Sequence, residues 1–166
     1  QNDLSIIFAK GKPNKYRSHL VSIGHVFPVC SPALLAQNAP IDGLQQLASL
    51  PLLKLADVAG NGWLNWRGFF NQLPNQAPSQ LSNQVIPSEP VLTFNNYTLL
   101  VQAAIAGQGV GIGWGTLVDD LVDNGMLVAL KSFSIVSDWD YYLVETNTND
   151  SLPAKQHFVA WLLSCV

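Results

Sequence analysis

From Phe94 to Leu130 the chain reads FNNYTLLVQAAIAGQGVGIGWGTLVDDLVDNGMLVAL, and its apolar spacing changes period several times. Tyr97, Leu100, Val101 and Ala104 stand at i, i+3, i+4 and i+7, which predicts a helix with one apolar stripe, opened by Asn95 or Asn96. Gly107 ends it, because a residue without Cβ takes the left-handed cap conformation cheaply, and Gln108-Gly109 completes the turn. Val110 to Trp114 is too short for a helix. As a strand it puts Val110, Ile112 and Trp114 on one side and only Gly111 and Gly113 on the other, leaving room for a small molecule or a packed neighbour. Thr116 and Asp119 have the spacing of a capping box, which predicts a second helix with Leu117, Val118, Leu121 and Val122 inward. Asn124-Gly125 breaks it before a strand over Met126 to Leu130.

The same reading extends to both ends of the chain. Leu4 to Ala9 (LSIIFA) predicts a strand, followed by a turn at Lys10-Gly11-Lys12-Pro13. His25 to Cys30 predicts a second strand, which Pro28 assigns to an edge or a crossing point because proline cannot donate to a ladder. Ser31-Pro32 opens a helix with a hydroxyl cap and proline at the first position. Asp42-Gly43 opens a shorter one, and Pro51 to Leu55 is a strand. Trp63, Trp66, Phe69 and Phe70 form one aromatic helix face, either core packing or, at Trp63 or Trp66, facing a ligand. Gln72 to Pro90 is polar and rich in Pro, Gln, Asn and Ser, so it predicts connection and surface strand. Val91 to Phe94 and Asp140 to Val144 are strands. Phe158, Trp161, Leu162 and Cys165 give a last helix a stripe starting near Pro153. Strands alternating with helices predict an α/β fold with mostly parallel pairing.

Composition narrows the function. A chain of 166 residues suits one sizeable core or two small lobes, and 48% apolar with 11% charged residues is an ordered globular composition. A formal charge of -3 with scattered Lys and Arg argues against this chain itself holding nucleic acid. No apolar run approaches the roughly 20 residues that span a bilayer, so no membrane partner is expected. Cys30 and Cys165 are lone cysteines in apolar surroundings, which suits buried thiols in a reducing compartment better than a disulfide framework.

Catalytic signals are missing. His19, His25 and His157 lie in no motif that would supply a nucleophile or an orienting group, and no His or Cys pair has metal-ligand spacing. Asp119, Asp120 and Asp123 lie around a helix start and are expected to form a solvated acidic face. Gly107, Gly109, Gly111 and Gly113 fail the dinucleotide fingerprint: the last x-x-G is absent, and they follow a helix and precede a strand. No catalysis, metal or cofactor is expected. What does converge is a set of chain ends. Ligands in open α/β sheets collect at the carboxyl ends of strands, and Thr93-Phe94 and Gly113-Trp114 are two such ends. Asn95, beside them, is either an anion-binding group at a helix start or a plain cap, and it can be both.

FNNYTLLVQAAIAGQGVGIG followed by LVDDLVDNGMLVAL, with VCSPALLA earlier and YYLV, a polar loop, proline and FVAWL at the end, resembles the effector-binding domain of LysR-type transcriptional regulators. The resemblance implies a two-lobe, periplasmic-binding-protein-like (type 2) fold with mixed, mostly parallel sheets. Residues 31–130 would form the second lobe, and residues 1–30 with 131–166 a first lobe lacking its N-terminal strand-helix-strand portion. It also implies that promoter DNA is held by a helix-turn-helix domain absent from this chain, that the protein is cytoplasmic, and that it is a homo-oligomer, usually a dimer or tetramer. In that family the positions of Thr93, Phe94, Asn95, Gly113 and Trp114 line the cleft between the lobes, together with the turn at Ala9, Lys10 and Gly11. An anionic group at Asn95 with an apolar or cationic remainder against Trp114 and Trp63 suggests an amino acid, a small carboxylate or a quaternary amine. A cation over an indole contributes about 0.5 to 2 kcal/mol. Two rivals share the sheet: a periplasmic solute-binding protein, marked by an upstream signal peptide, and a small enzyme, marked by turnover.

Overall fold

LSIIFAK and WDYYLVE are short runs rich in β-branched and aromatic residues, which favours strands, and they pair with each other although more than a hundred residues separate them. The computed structural model describes residues 4–22, 24–56, 65–76, 89, 91–137, 139–145 and 153–165. In chain order the strands are β1 (Leu4–Lys10), β2 (Arg17–Ser22), β3 (His25–Cys30), β4 (Leu53–Leu55), β5 (Leu92–Phe94), β6 (Gly111–Trp114), β7 (Val128–Ala129), β8 (Ile135–Val136) and β9 (Trp139–Glu145). The helices are α1 (Pro32–Asn38), α2 (Leu44–Ser49), α3 (Trp66–Gln76), α4 (Tyr97–Ile105), α5 (Gly115–Asp123) and α6 (Pro153–Ser164). The chain divides into two units, Gln1–Gly24 with Val136–Val166, and His25–Ile135. This differs from a division at Ser31 and Leu130. Strand β3 lies within the second unit because it is hydrogen-bonded between β6 and β7.

In the first unit β9 is the middle strand, antiparallel to β1 and β2, with Ile6 and His19 both opposite Leu143. Leu143 and Val144 are buried, and Phe8 packs on Tyr141 with ring centroids 4.9 Å apart. At the end of the ladder the Glu145 carboxylate gathers Arg17 Nε at 3.2 Å, His19 Nε2 at 3.5 Å and Lys155 Nζ of α6 at 3.9 Å. Phe158 and Trp161 of α6 are exposed, as is Cys165 just after it. The expected inward stripe is therefore not buried in this unit, and only Cys30 is a buried thiol.

The second unit is a mixed sheet. Strands β5 and β4 are parallel, with Lys54 beside Thr93 and Leu55 beside Phe94, and β4 meets the start of β6 in a parallel bridge from Leu52 to Val110. On the far side β3 is antiparallel to β6 and to β7. The expectation of mostly parallel pairing is thus corrected: among the described strands antiparallel pairs predominate. Parallel neighbours arise where a helix crosses over between them, as α3 does between β4 and β5. Strand β3 follows β2 directly, without a crossover helix, and runs against β6. It is an inner strand despite Pro28, whose carbonyl accepts the Leu130 N–H at 2.9 Å and whose neighbour on β6, Ile112, turns its own carbonyl to Tyr97.

The core of this unit is Phe27, Val29, Leu53, Leu100, Val101, Ala104, Val118 and Leu127. Helix α4 ends as its sequence predicts: Gly107 at φ 78° lets its N–H reach the Ala104 carbonyl and the Gln108 N–H reach Ala103. Helix α3 buries Trp66, Phe69, Phe70 and Leu73, with Phe69 edge-on to both neighbouring rings at 5.6 and 5.9 Å. It extends through Gln76, into the polar stretch read as connection.

Candidate functional site

Two parallel strands that start together and then part define the site. Strands β4 and β6 are joined at Leu52–Val110, where the Leu53 N–H meets the Val110 carbonyl at 2.9 Å and the Val110 N–H meets Pro51 at 2.8 Å. The ladder goes no further. Buried backbone groups must still be partnered, and two aromatic side chains take over. The Trp66 indole N–H donates to the Leu53 carbonyl at 2.8 Å, and the Tyr97 hydroxyl donates to the Ile112 carbonyl at 3.0 Å while accepting the Trp114 N–H at 3.1 Å. Between the parted strands lies a small recess open to solvent. Its walls come from β4 (Leu53, Lys54, Leu55), the start of α3 (Asn65, Trp66), α4 (Tyr97, Leu100) and β6 (Ile112, Trp114). Of the strands, β4 and β6 line it, and it reaches their carboxyl ends at Leu55 and Trp114, the usual position for a ligand in such a sheet.

Of the residues expected in a site, Trp114 lines this recess and is almost wholly buried. Thr93 and Asn95 are exposed, and Phe94 is half-buried. They lie one strand over, since Thr93 is in register with Lys54 and Phe94 with Leu55. Gly113 does not offer space: a Cβ there would lie 2.8 Å from Val29 Cγ1, 3.1 Å from the Phe27 carbonyl and 3.2 Å from Val118 Cγ2. At Gly111 the close atom is Leu100 Cδ2, at 2.7 Å. The bare face of β6 is filled by packed neighbours. Ala9 is half-buried and Lys10 exposed at the end of β1, and Gly11 follows at φ 75°, all in the first unit. Trp63 lies outside the described residues.

The start of α4 is not an open anion receptor. Its cap is Asn96, whose Oδ1 accepts the N–H groups of Thr98 at 2.8 Å and Leu99 at 3.3 Å, so two of the helix's unpaired donors are already taken. Asn95 is therefore not the cap. The capping box at Thr116 is not formed either: α5 begins two residues earlier than a Thr116 cap requires, at Gly115, with Trp114 at the cap position and no side-chain cap bond. Leu117 consequently turns outward, and Val118 carries the buried contact.

Sequence reasoning missed Tyr97 as more than a stripe residue, and missed Lys54 and Asn65 altogether. Tyr97 did carry a signal: a phenol at the first position of a helix is poised to reach the strand end beside it. Asn65 caps α3, its Oδ1 accepting the Gly68 N–H at 2.8 Å. Burial pushes the Cys30 thiol above its ordinary pKa. Among the described residues no three His, Cys, Asp or Glu side chains gather as a metal site, and no buried side-chain nitrogen or oxygen lacks a partner.

Two α/β units, one with a recess at its strand ends, are the architecture of a ligand-binding domain with the two-lobe type 2 fold of periplasmic binding proteins. The effector domain of the transcriptional regulator AmpR of Pseudomonas aeruginosa shares the fold, with a TM-score of 0.68 at 17% identity over 98% of this chain and 71% of that one. Residues 1–164 match the LysR substrate binding domain, and the chain belongs to that family, the ligand-sensing domains of LysR regulators, and is not a transporter's solute receptor. It is 26% identical over 162 residues to the glycine cleavage system transcriptional activator of Escherichia coli K12, covering 98% of this chain and 49% of that protein. It is 24% identical over 165 residues to the HTH-type transcriptional regulator DsdC of the same strain, covering 96% and 49%. The chain thus spans about half the length of the curated relatives it matches. LysR regulators bind small-molecule effectors and DNA and form oligomers, and the family is one of regulators, not of enzymes. No described helix is long and apolar enough to cross a membrane.

Proposed function

We propose that this chain is the effector-sensing part of a cytoplasmic transcriptional regulator, binding its ligand without reacting with it. Occupancy shifts the population of regulator conformations and so changes how a helix-turn-helix domain outside this chain engages promoter DNA, within a homo-oligomer. The relatives' names, a transcriptional activator and an HTH-type transcriptional regulator, support this reading. The observation that carries it is the recess at the carboxyl ends of β4 and β6, with Trp114 in its wall.

The effector is an amino acid, a small carboxylate or a quaternary amine. Trp114 meets it directly, and Thr93, Phe94 and Asn95 meet it from the neighbouring strand end. The turn at Ala9, Lys10 and Gly11 joins the proposal on the family resemblance alone. The test is calorimetry with a panel of these three ligand classes, followed by promoter binding of the full-length regulator with and without the ligand that binds. Asn95→Ala is expected to weaken binding about tenfold, with a melting temperature within about 1 °C of the parent, since the side chain is exposed and caps nothing. Affinity that is indifferent to Asn95→Ala and to Thr93→Ala removes this strand end from the site.

A further inference from the structure

Charge is distributed unevenly over this chain. Lys10, Lys12, Lys15 and Arg17, half of its eight Lys and Arg, run from the end of β1 through the following loop to the start of β2, and residues 10–17 hold no acid. The remainder of the chain sets four cations against eleven acids. All four basic side chains are exposed, and Tyr16 among them is 40% exposed, with Lys15 Nζ 5.5 Å from its ring centroid. Arg17 is engaged by Glu145, whereas no carboxylate of the described residues pairs with Lys12 or Lys15. The opposite arrangement stands on α5. Asp119, Asp120 and Asp123 are exposed, no described cation pairs with them, and the helix itself carries no Lys or Arg. Leu117, 46% exposed, stands one helical turn before Asp120.

Each surface is thus an exposed apolar side chain set among charges of one sign that the chain itself does not neutralise, and the two signs are opposite. DNA is one polyanion that a regulator meets, but the acidic excess of the rest of the chain opposes a phosphate backbone. A second copy of the chain offers the matching carboxylates, and LysR regulators form oligomers. Resting on the homo-oligomer proposed above, we infer that the basic loop of one copy docks on the acidic face of α5 in another, with Lys12 and Lys15 against Asp119, Asp120 and Asp123, and Tyr16 against Leu117. Exposed ion pairs are individually weak, so the charges set which faces meet and how fast, while the tyrosine and the leucine exclude water at the centre. The contact weakens as salt rises.

The experiment is sedimentation velocity of the protein at low and high salt, for the parent, for Lys12→Glu with Lys15→Glu, for Asp120→Lys with Asp123→Lys, and for all four substitutions together. Asp119 is left in place because a lysine in the first turn of α5 would oppose the helix dipole. Circular dichroism and thermal melts confirm that each variant is folded. Each pair of reversals brings like charges together and should weaken self-association at least tenfold, whereas the four together should restore it to within about threefold of the parent. Carbodiimide treatment of mixed unlabelled and nitrogen-15-labelled protein should join Lys12 or Lys15 to Asp119, Asp120 or Asp123 in peptides of mixed label. A monomeric parent overturns this contact and the homo-oligomer with it. An oligomer that neither pair weakens, or that the four reversals leave as weak as two, overturns the contact and leaves the oligomer standing. A Lys12 and Lys15 reversal that spares association but weakens promoter binding by the full-length regulator assigns the loop to DNA, and the contact falls.

Discussion

Replacing Tyr97 by phenylalanine removes one oxygen and tests how the second unit is built. The ring stays against its neighbours, while the Ile112 carbonyl loses its donor at 3.0 Å and the Trp114 N–H its acceptor at 3.1 Å. Each such bond contributes about 1 kcal/mol net, and a buried group left without a partner costs about 1 to 3 kcal/mol. Both bonds are partly buried, so some water reaches the orphaned groups, and a loss of about 2 kcal/mol is expected. For a chain of this size that corresponds to a melting temperature lower by roughly 4 to 8 °C. Urea denaturation followed by tryptophan fluorescence measures the first quantity, and amide exchange locates it: the Trp114 N–H should lose protection, while the amides of Gly111 and Gly113, on the β3 side, keep theirs. An unchanged denaturation midpoint with a Trp114 amide as protected as before would refute the idea that the phenol replaces a strand partner.

Other perturbations probe neighbouring elements. Asn96→Ala should cost about 1 kcal/mol in urea denaturation by uncapping α4, and Asn95→Ala less than about 0.5 kcal/mol. Gly109→Ala should destabilise more than Gly111→Ala: the new Cβ would lie 2.6 Å from the Pro51 carbonyl, a backbone atom bonded to Val110, whereas at Gly111 it meets only the end of the Leu100 side chain at 2.7 Å. Thermal melts of the two variants give the order, and the reverse order would mean that the strand junction yields more easily than the core. With a thiol reagent one cysteine, Cys165, should react at once and Cys30 only as the protein unfolds. Because burial raises the Cys30 pKa above its ordinary 9.0, the unfolded chain ionises first. The stability gained from a neutral buried thiol is therefore whole below that pH and declines as pH rises past it, so the loss between denaturation at pH 8 and at pH 10 should be larger for the parent than for Cys30→Ser.

Local signals in this chain were read correctly where one residue type decides one conformation. Ser31 with Pro32 caps α1, its Oγ accepting the Leu34 N–H at 3.1 Å, and Gly107 closes α4 at a positive φ. Patterns failed where tertiary partners decide. RSHLVS carries too few apolar residues to announce a strand, yet β9 supplies its whole ladder and the Glu145 carboxylate holds Arg17 and His19 at its end. Thr116 and Asp119 keep the spacing of a capping box but not its geometry. Strand β6 runs straight into α5, so the helix is already turning when the threonine arrives.

The glycines of β6 show why the candidate site was only half legible. Alternation correctly put Val110, Ile112 and Trp114 on one side and the two glycines on the other, and a strand face without side chains suggested space for a ligand. That space is taken: Leu100 closes on Gly111, and Val29 and Val118 close on Gly113, which brings α4 and α5 tight against the strand. Helices seated this close put Tyr97, at the start of α4, within reach of the end of β6, where it takes the polar groups that β4 no longer pairs. Release from that pairing is what opens the hollow on the side of Ile112 and Trp114. The bare face and the recess thus have one cause, with the glycines drawing the helices in and the phenol holding the parted strand edge.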